Sequence, residues 1–118
     1  MAKWKKVAPQ VKEKLAARLR TALAGRRGVS EKKMFSGICF LLRNNMLCGT
    51  GSGHFMFRVG KEAHAAAVKR RGAKPMTLGG RQMQGFIWVD PAACDAKSVK
   101  AWIGLATGYV GKLPKKKR

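Results

Sequence analysis

Residues 32–59 constrain the fold most, because this segment divides into four short apolar runs separated by turn-forming residues. Asn44 and Asn45 make one interruption, and the glycine-rich stretch 49–53 makes another. Short runs rich in β-branched and aromatic residues, bounded by Asn and Gly, are typical of successive antiparallel strands. The predicted strands cover residues 33–35, 38–43, 46–48 and 55–59.

Alternation within these runs indicates how the sheet is buried. Phe55, Phe57 and Val59 lie on one face of the last strand, while Met56 points to the other. The run 38–42 is apolar at every position, which is typical of a central strand with some cover on each side. One face of the sheet is therefore expected to lie against the core.

Two other segments show helical spacing. Residues 8–24 place Leu15, Leu19 and Leu23 at four-residue intervals, which predicts an amphipathic helix with one apolar stripe. Residues 61–70 are rich in alanine and lie between two glycines, so they predict a second helix.

A third helix is predicted near the end of the chain. It begins near Asp95 or Ser98 and ends before Pro114, which cannot continue a helix. Gly104 and Gly108 weaken this helix, and we expect them to permit close packing on the sheet. The predicted core stripe consists of Val99, Trp102, Ile103, Ala106, Val110 and Leu113.

The remaining segment completes the fold prediction. Residues 74–76 predict an extended crossing, 79–80 a turn, and 82–89 another strand. We therefore predict an α+β fold in which an antiparallel sheet of about five or six strands packs with three helices. A length of 118 residues, 46% of them hydrophobic, is sufficient for a single compact domain.

Charge is strongly one-sided, since 26 Lys and Arg stand against five acids and give a formal net charge of +21. Clustered cations bind phosphate backbones without reading base sequence, whereas dispersed cations mainly keep a small protein soluble and monomeric. Besides Lys3, Lys5 and Lys6 at the start, the candidate nucleic-acid-binding residues are Lys69, Arg70, Arg71, Lys74, Lys115, Lys116, Lys117 and Arg118.

The chemical motifs are sparse. The sequence has no GxSxG, phosphate-cradling glycine-lysine, HExxH or CxxC motif. We expect His54 to be exposed in the glycine-rich loop and His64 to have no special role in the second helix. Zinc ligands usually come in short-spaced pairs, which these histidines and the cysteines do not form. We predict no catalytic residue, no metal site and no cofactor.

The three cysteines are an odd number without close spacing, which favours free thiols in a reducing compartment. A two-residue loop at Asn44 and Asn45 would place Cys39 and Cys48 diagonally on one hairpin face, near the distance limit for a disulfide. We favour buried free thiols for this pair. Cys94 falls in a predicted loop and is the cysteine we expect to be reactive.

Phe86 and Trp88 lie on one face of the predicted strand 82–89. They would form either an exposed aromatic ledge for a ligand, base or partner, or a cluster covered by Trp102 and Tyr109. We expect the second arrangement, because aromatic side chains usually pack between helix and sheet.

No apolar run approaches the roughly 18 residues of a membrane-spanning helix, and the basic start is not followed by an apolar signal-peptide core. We therefore predict a cytoplasmic protein that does not bind membranes.

Five segments, taken in order and spacing, resemble the N-terminal domain of the TfoX/Sxy competence-regulator family. They are EKKMFSGICF at 31–40, NMLCG at 45–49, FRVG at 57–60, KPM at 74–76 and GRQMQGF at 80–86. The likeness extends over about residues 11–113. It divides the chain into a basic extension, 1–7, the TfoX N-terminal-like domain, 8–113, and a basic tail, 114–118.

The resemblance implies an α+β fold and a bacterial cytoplasmic protein with no known catalysis or cofactor. In full-length competence regulators a helical domain follows, and the two promote transcription of DNA-uptake genes with a cyclic-AMP-responsive regulator. We therefore expect a non-enzymatic regulatory or interaction module whose partner is a protein or a nucleoprotein complex. The alternative is a direct, largely sequence-independent nucleic-acid-binding protein that uses its basic clusters on the phosphate backbone.

Overall fold

The computed structural model describes residues 9–34, 37–50, 53–78 and 80–114. It confirms the predicted α+β fold, with three α-helices and a sheet of six strands. In chain order the elements are α1 (Pro9–Leu23), β1 (Val29–Met34), β2 (Gly37–Leu42), β3 (Asn45–Thr50), β4 (Phe55–Arg58), α2 (Lys61–Ala67), β5 (Ala73–Leu78), β6 (Arg81–Val89), a 3₁₀ turn (Pro91–Ala93) and α3 (Ala96–Val110).

The strands follow the order β1-β2-β3-β4-β6-β5, and every neighbouring pair is antiparallel. The first four strands form a meander. The chain then passes through α2 to the far edge, and β6 returns between β4 and β5. Pro75 lies in the edge strand β5, where a residue without an N–H leaves no interior hydrogen bond of the sheet unmade.

The main core lies between the helices and one face of the sheet. Leu15, Leu19 and Leu23 of α1 are buried in it, as the four-residue spacing predicts. The α3 stripe is confirmed at five of its six positions, and Leu113 packs partly buried beyond the end of the helix. Trp102 stacks on Phe57 of β4 with ring centres 5.5 Å apart and the planes 14° from parallel.

Neither α1 nor α3 exceeds 15 residues, and in the described part of the chain no helix has the length and apolarity needed to span a membrane.

The opposite face of the sheet carries a second, smaller cluster. We call it the methionine face, and define it as Cys39, Met46, Met56, Met76, Met83, Phe86 and Trp88. One row of paired positions crosses all six strands on this side. It runs Lys32, Cys39, Gly49, Met56, Trp88 and Lys74. Directly paired residues share a face, so a lysine stands at each end of this row.

The β2–β3 hairpin differs from the prediction. Its two-residue loop is Arg43 and Asn44, with φ of 53° and 68°, as the tight turn favoured between twisted strands requires. The loop pairs Leu42 with Asn45, and a register shift then occurs between Phe40 and Leu41.

Strand β1 is longer than predicted, since it begins at Val29 and pairs with β2 along its whole length. The sequence pattern missed the first part of β1 because its charged residues, Glu31, Lys32 and Lys33, interrupt the apolar alternation expected of a strand. Lys32 and Lys33 are exposed on an edge strand, where lysine discourages pairing with a further chain. The predicted end of this strand, Phe35, lies outside the described residues.

The glycines of this fold differ in how closely other atoms approach them. At the junction of β4 and β6 a Cβ on Gly85 would lie 2.8 Å from the carbonyl carbon of Gly60, and both residues have φ near 90°. Gly104 and Gly108 of α3 are exposed, and a Cβ on either would meet nothing within 4 Å. The expectation that these two pack closely on the sheet is therefore wrong.

Because Gly104 and Gly108 are not needed for packing, Gly104→Ala and Gly108→Ala should each raise the free energy of unfolding by about 0.5–1 kcal/mol through helix propensity. Urea denaturation measures this change. Gly85→Ala is the matched control and should lower stability by about 1–3 kcal/mol, because it combines a clash with a positive φ. Loss of stability in the α3 variants would show that this helix face is packed against something.

Candidate interaction surfaces

The predicted basic clusters are only partly within the described chain. Lys3, Lys5 and Lys6 and the residues Lys115, Lys116, Lys117 and Arg118 lie outside the described residues. The central cluster is described in full. Lys69, Arg70 and Arg71 are exposed in the turn after α2, and Lys74 is exposed in β5.

The central cluster is divided between two sides of the sheet. Arg70 faces the helices, where its guanidinium carbon lies 5.5 Å from the centre of the Trp102 ring. Lys74 pairs with Trp88 and so projects on the methionine face. Arg70 and Lys74 are thus close in sequence but lie on opposite sides of the sheet.

A cavity of about 320 Å³ lies beside the helix-side part of this cluster. Arg70 and Arg71 line it together with Cys94, Asp95 and Ser98. Asp95 caps α3, since its carboxylate accepts from the Ser98 N–H at 2.8 Å, and this hydrogen bond lowers the pKa of Asp95. The Asp95 carboxylate therefore stabilises the first turn of α3.

Cys94 is not the accessible thiol that the sequence suggested. The residue is only 2% exposed, and its carbonyl oxygen accepts a hydrogen bond from Arg18 of α1. Burial raises the pKa of the Cys94 thiol, and the nearby Arg18 charge opposes that rise only in part. A thiol held neutral is a poor nucleophile, so the expectation of reactivity is wrong.

Cys39 and Cys48 are buried free thiols, as predicted, but they do not share a hairpin face. The register shift after Phe40 pairs Phe40 with Cys48 and leaves Cys39 opposite Gly49. Cys48 therefore lies in the main core and Cys39 on the methionine face. Burial raises the pKa of both thiols.

All three thiols should consequently react slowly with an aromatic disulfide reagent at about pH 8, because reaction requires local opening. We expect labelling at least about 100-fold slower in the native protein than in denaturant. The absorbance of the released thiolate measures the rate. A rapid native phase that disappears in Cys94→Ala would contradict the buried position of this residue.

The expectation that His54 is exposed is wrong, and His64 makes a hydrogen bond that the sequence did not predict. His54 is buried, with its ring centre 4.5 Å from that of Trp88. His64 is buried in α2, and its Nδ1 accepts a hydrogen bond from the Gly85 N–H at 2.9 Å. Within the described ranges no group of three or more His, Cys, Asp or Glu side chains could hold a metal ion.

Phe86 and Trp88 are not covered by the aromatic residues of α3. Trp102 is in the main core on the other side of the sheet, and Tyr109 packs against Gly60. Phe86 and Trp88 are instead half-buried among methionines. The sequence signal for this surface is the alternation over residues 86–89, where Phe86 and Trp88 are half-buried on one face and Ile87 is buried on the other.

The surroundings of the methionine face are cationic. Lys32 and Lys74 end its central row, and Arg58 lies over the Phe86 ring at 5.4 Å. All five acids belong to described residues and lie elsewhere. Glu13 is in α1, Glu31 is on the other face of β1, Glu62 is in α2, and Asp90 and Asp95 cap the 3₁₀ turn and α3.

Comparison with protein-family models finds a match to the TfoX N-terminal domain over residues 21–108. This span contains all six strands, α2 and most of α3. No curated protein and no solved structure matches the chain.

Proposed function

The chain belongs to the TfoX N-terminal domain family, and on this premise we propose that it is a regulatory module that acts by binding another macromolecule rather than by catalysis. The observation that carries the proposal is the extent of the family match, which includes the whole sheet. The half-buried apolar surface of the methionine face is consistent with a binding role.

We further propose that the module influences transcription, including genes for DNA uptake, through a protein or nucleoprotein partner. Its place of action would be the cytoplasm, since Cys39, Cys48 and Cys94 are all free thiols, which a reducing compartment preserves.

The test is deletion of the gene from the cells that encode it, followed by measurement of transcript levels. A regulatory module predicts a defined set of altered transcripts that the reintroduced chain restores. Unchanged transcripts together with an altered metabolite pool would instead indicate an enzyme.

A second candidate function is direct binding of nucleic acid, favoured by the three adjacent exposed cations Lys69, Arg70 and Arg71. Lys74 and the chain-terminal residues Lys115–Lys117 and Arg118 would add to this binding. Such contacts recognise phosphate and release counterions, so they carry no base specificity.

Titration of the protein with duplex DNA at several salt concentrations tests this candidate. Direct contact predicts that log K falls against log salt with a slope of about 0.9 per phosphate neutralised. Removing residues 115–118 should weaken binding to all sequences alike, and Lys97→Gln on α3 serves as a control for loss of a positive charge elsewhere on the surface. Absence of binding at about 50 mM salt would exclude this function, and selective loss at one sequence would exclude the backbone mechanism.

A further inference from the structure

We propose that the methionine face is a docking surface for an acidic segment of a protein partner that carries apolar side chains among its carboxylates. This inference rests on the proposed binding function and specifies where the partner binds and what chemistry it has. The surface is defined above by four methionines, Cys39, Phe86 and Trp88.

The apolar part of the surface fits a protein partner. Met46, Met83, Phe86 and Trp88 are all half-buried, so each presents part of its side chain beyond the sheet. Methionine is flexible and polarizable, and surfaces rich in it adapt to the shape of a bound segment. Methionine and aromatic residues are also enriched in protein interfaces relative to the rest of the surface.

Charge determines which protein segment fits. Lys32 is exposed at the β1 end of the central row, and Arg58 lies beside Phe86. The five acids of the chain all lie on other parts of the fold. A second copy of the chain, with its own net charge of +21, would be repelled, whereas carboxylates on a partner would be attracted.

Ring geometry argues for protein over single-stranded nucleic acid. Stacking of a base requires an accessible aromatic face. His54 packs against Trp88 at 4.5 Å between ring centres, and the Arg58 guanidinium lies over Phe86 at 5.4 Å. The His54 ring and the Arg58 guanidinium thus already contact the two aromatic rings, while the half-buried Met46 and Met83 stay available for apolar contact.

The probe is a fluorescein-labelled synthetic peptide in which glutamate and aspartate alternate with leucine and phenylalanine, and fluorescence anisotropy measures its binding. Two matched peptides separate the contributions: one has serine at every apolar position, and the other has glutamine at every acidic position. Single-stranded oligothymidine tests for nucleic acid. Gel filtration of the protein over a range of concentrations tests for self-association.

Two variants alter the surface without removing buried side chains. Lys32→Glu should weaken binding about tenfold at about 50 mM salt and less at about 200 mM, because screening reduces the effect. The double variant Met46→Gln and Met83→Gln should weaken it about five- to tenfold at both salt concentrations. The controls are Lys97→Glu and Leu105→Gln on α3, an exposed cation and a half-buried apolar residue on the other side of the sheet, and they should bind as the wild type does.

Several results would overturn the inference: equal weakening by the control variants, equally tight binding of the serine peptide, or no binding of the acidic-apolar peptide at about 1 mM. Loss of oligothymidine binding in the same two surface variants would reassign the face to nucleic acid. Self-association that these variants abolish would reassign it to a second copy.

The transcript measurement in cells separates this inference from the proposed function. If the wild-type chain restores transcripts and folded Lys32→Glu and methionine variants do not, both stand. If these variants restore transcripts as well as the wild type, the docking face is wrong and the regulatory function stands. If the wild type restores nothing, the regulatory function is wrong whatever the peptide measurement shows.

Discussion

All three helices contribute apolar residues to the same core, which lies on one face of the sheet, and the rest of the structure follows from this one-sided cover. Phe57 and Trp102 stack at its centre, so the position of α3 on β4 is fixed by two large rings rather than by small contacts. Among the described residues no helix contributes to the cluster on the other face, so side chains of the strands shield its apolar residues from solvent. Methionine and half-buried aromatic residues do this, which leaves a surface that is apolar and yet accessible.

One junction connects this sheet to α2. The N–H groups of Val59 and Gly60 both donate to the Gly85 carbonyl, and the Gly85 N–H donates to Nδ1 of His64. The hydrogen bonds of Gly85, an irregular position in β6, are thereby satisfied by the two residues that follow β4 and by α2. Since a buried N–H without an acceptor costs about 1–3 kcal/mol, His64 has a structural role that its place in an alanine-rich helix does not suggest.

Elements marked by a repeating period were predictable from the sequence, whereas features that a single residue decides were not. The leucines of α1 and the stripe of α3 were predictable because several residues at one spacing agree. The register shift after Phe40 was not, since one extra residue reverses which face Cys48 occupies and no composition signal marks it.

Contacts between residues far apart in the chain were equally unpredictable from the sequence. His54 looked exposed because glycines surround it in the chain, but Trp88, 34 positions later, covers it. Gly104 and Gly108 looked like packing residues because their spacing suits close contact, and the structure leaves them exposed. Lys32 and Lys74 lie at the two ends of the central row, and only the pairing of all six strands shows that they share a face of the sheet.

The few acids explain why the surface stays cationic. Glu13 and Glu31 both bind Arg20, and Asp90 and Asp95 accept hydrogen bonds at the starts of the 3₁₀ turn and α3. Glu62 is in the first turn of α2, where the helix dipole favours a negative charge. Each acid thus stabilises a local part of the fold, and none belongs to the methionine face, which Lys32 and Arg58 border. An acidic partner that binds there would displace the counterions of these cations, which makes the association dependent on salt.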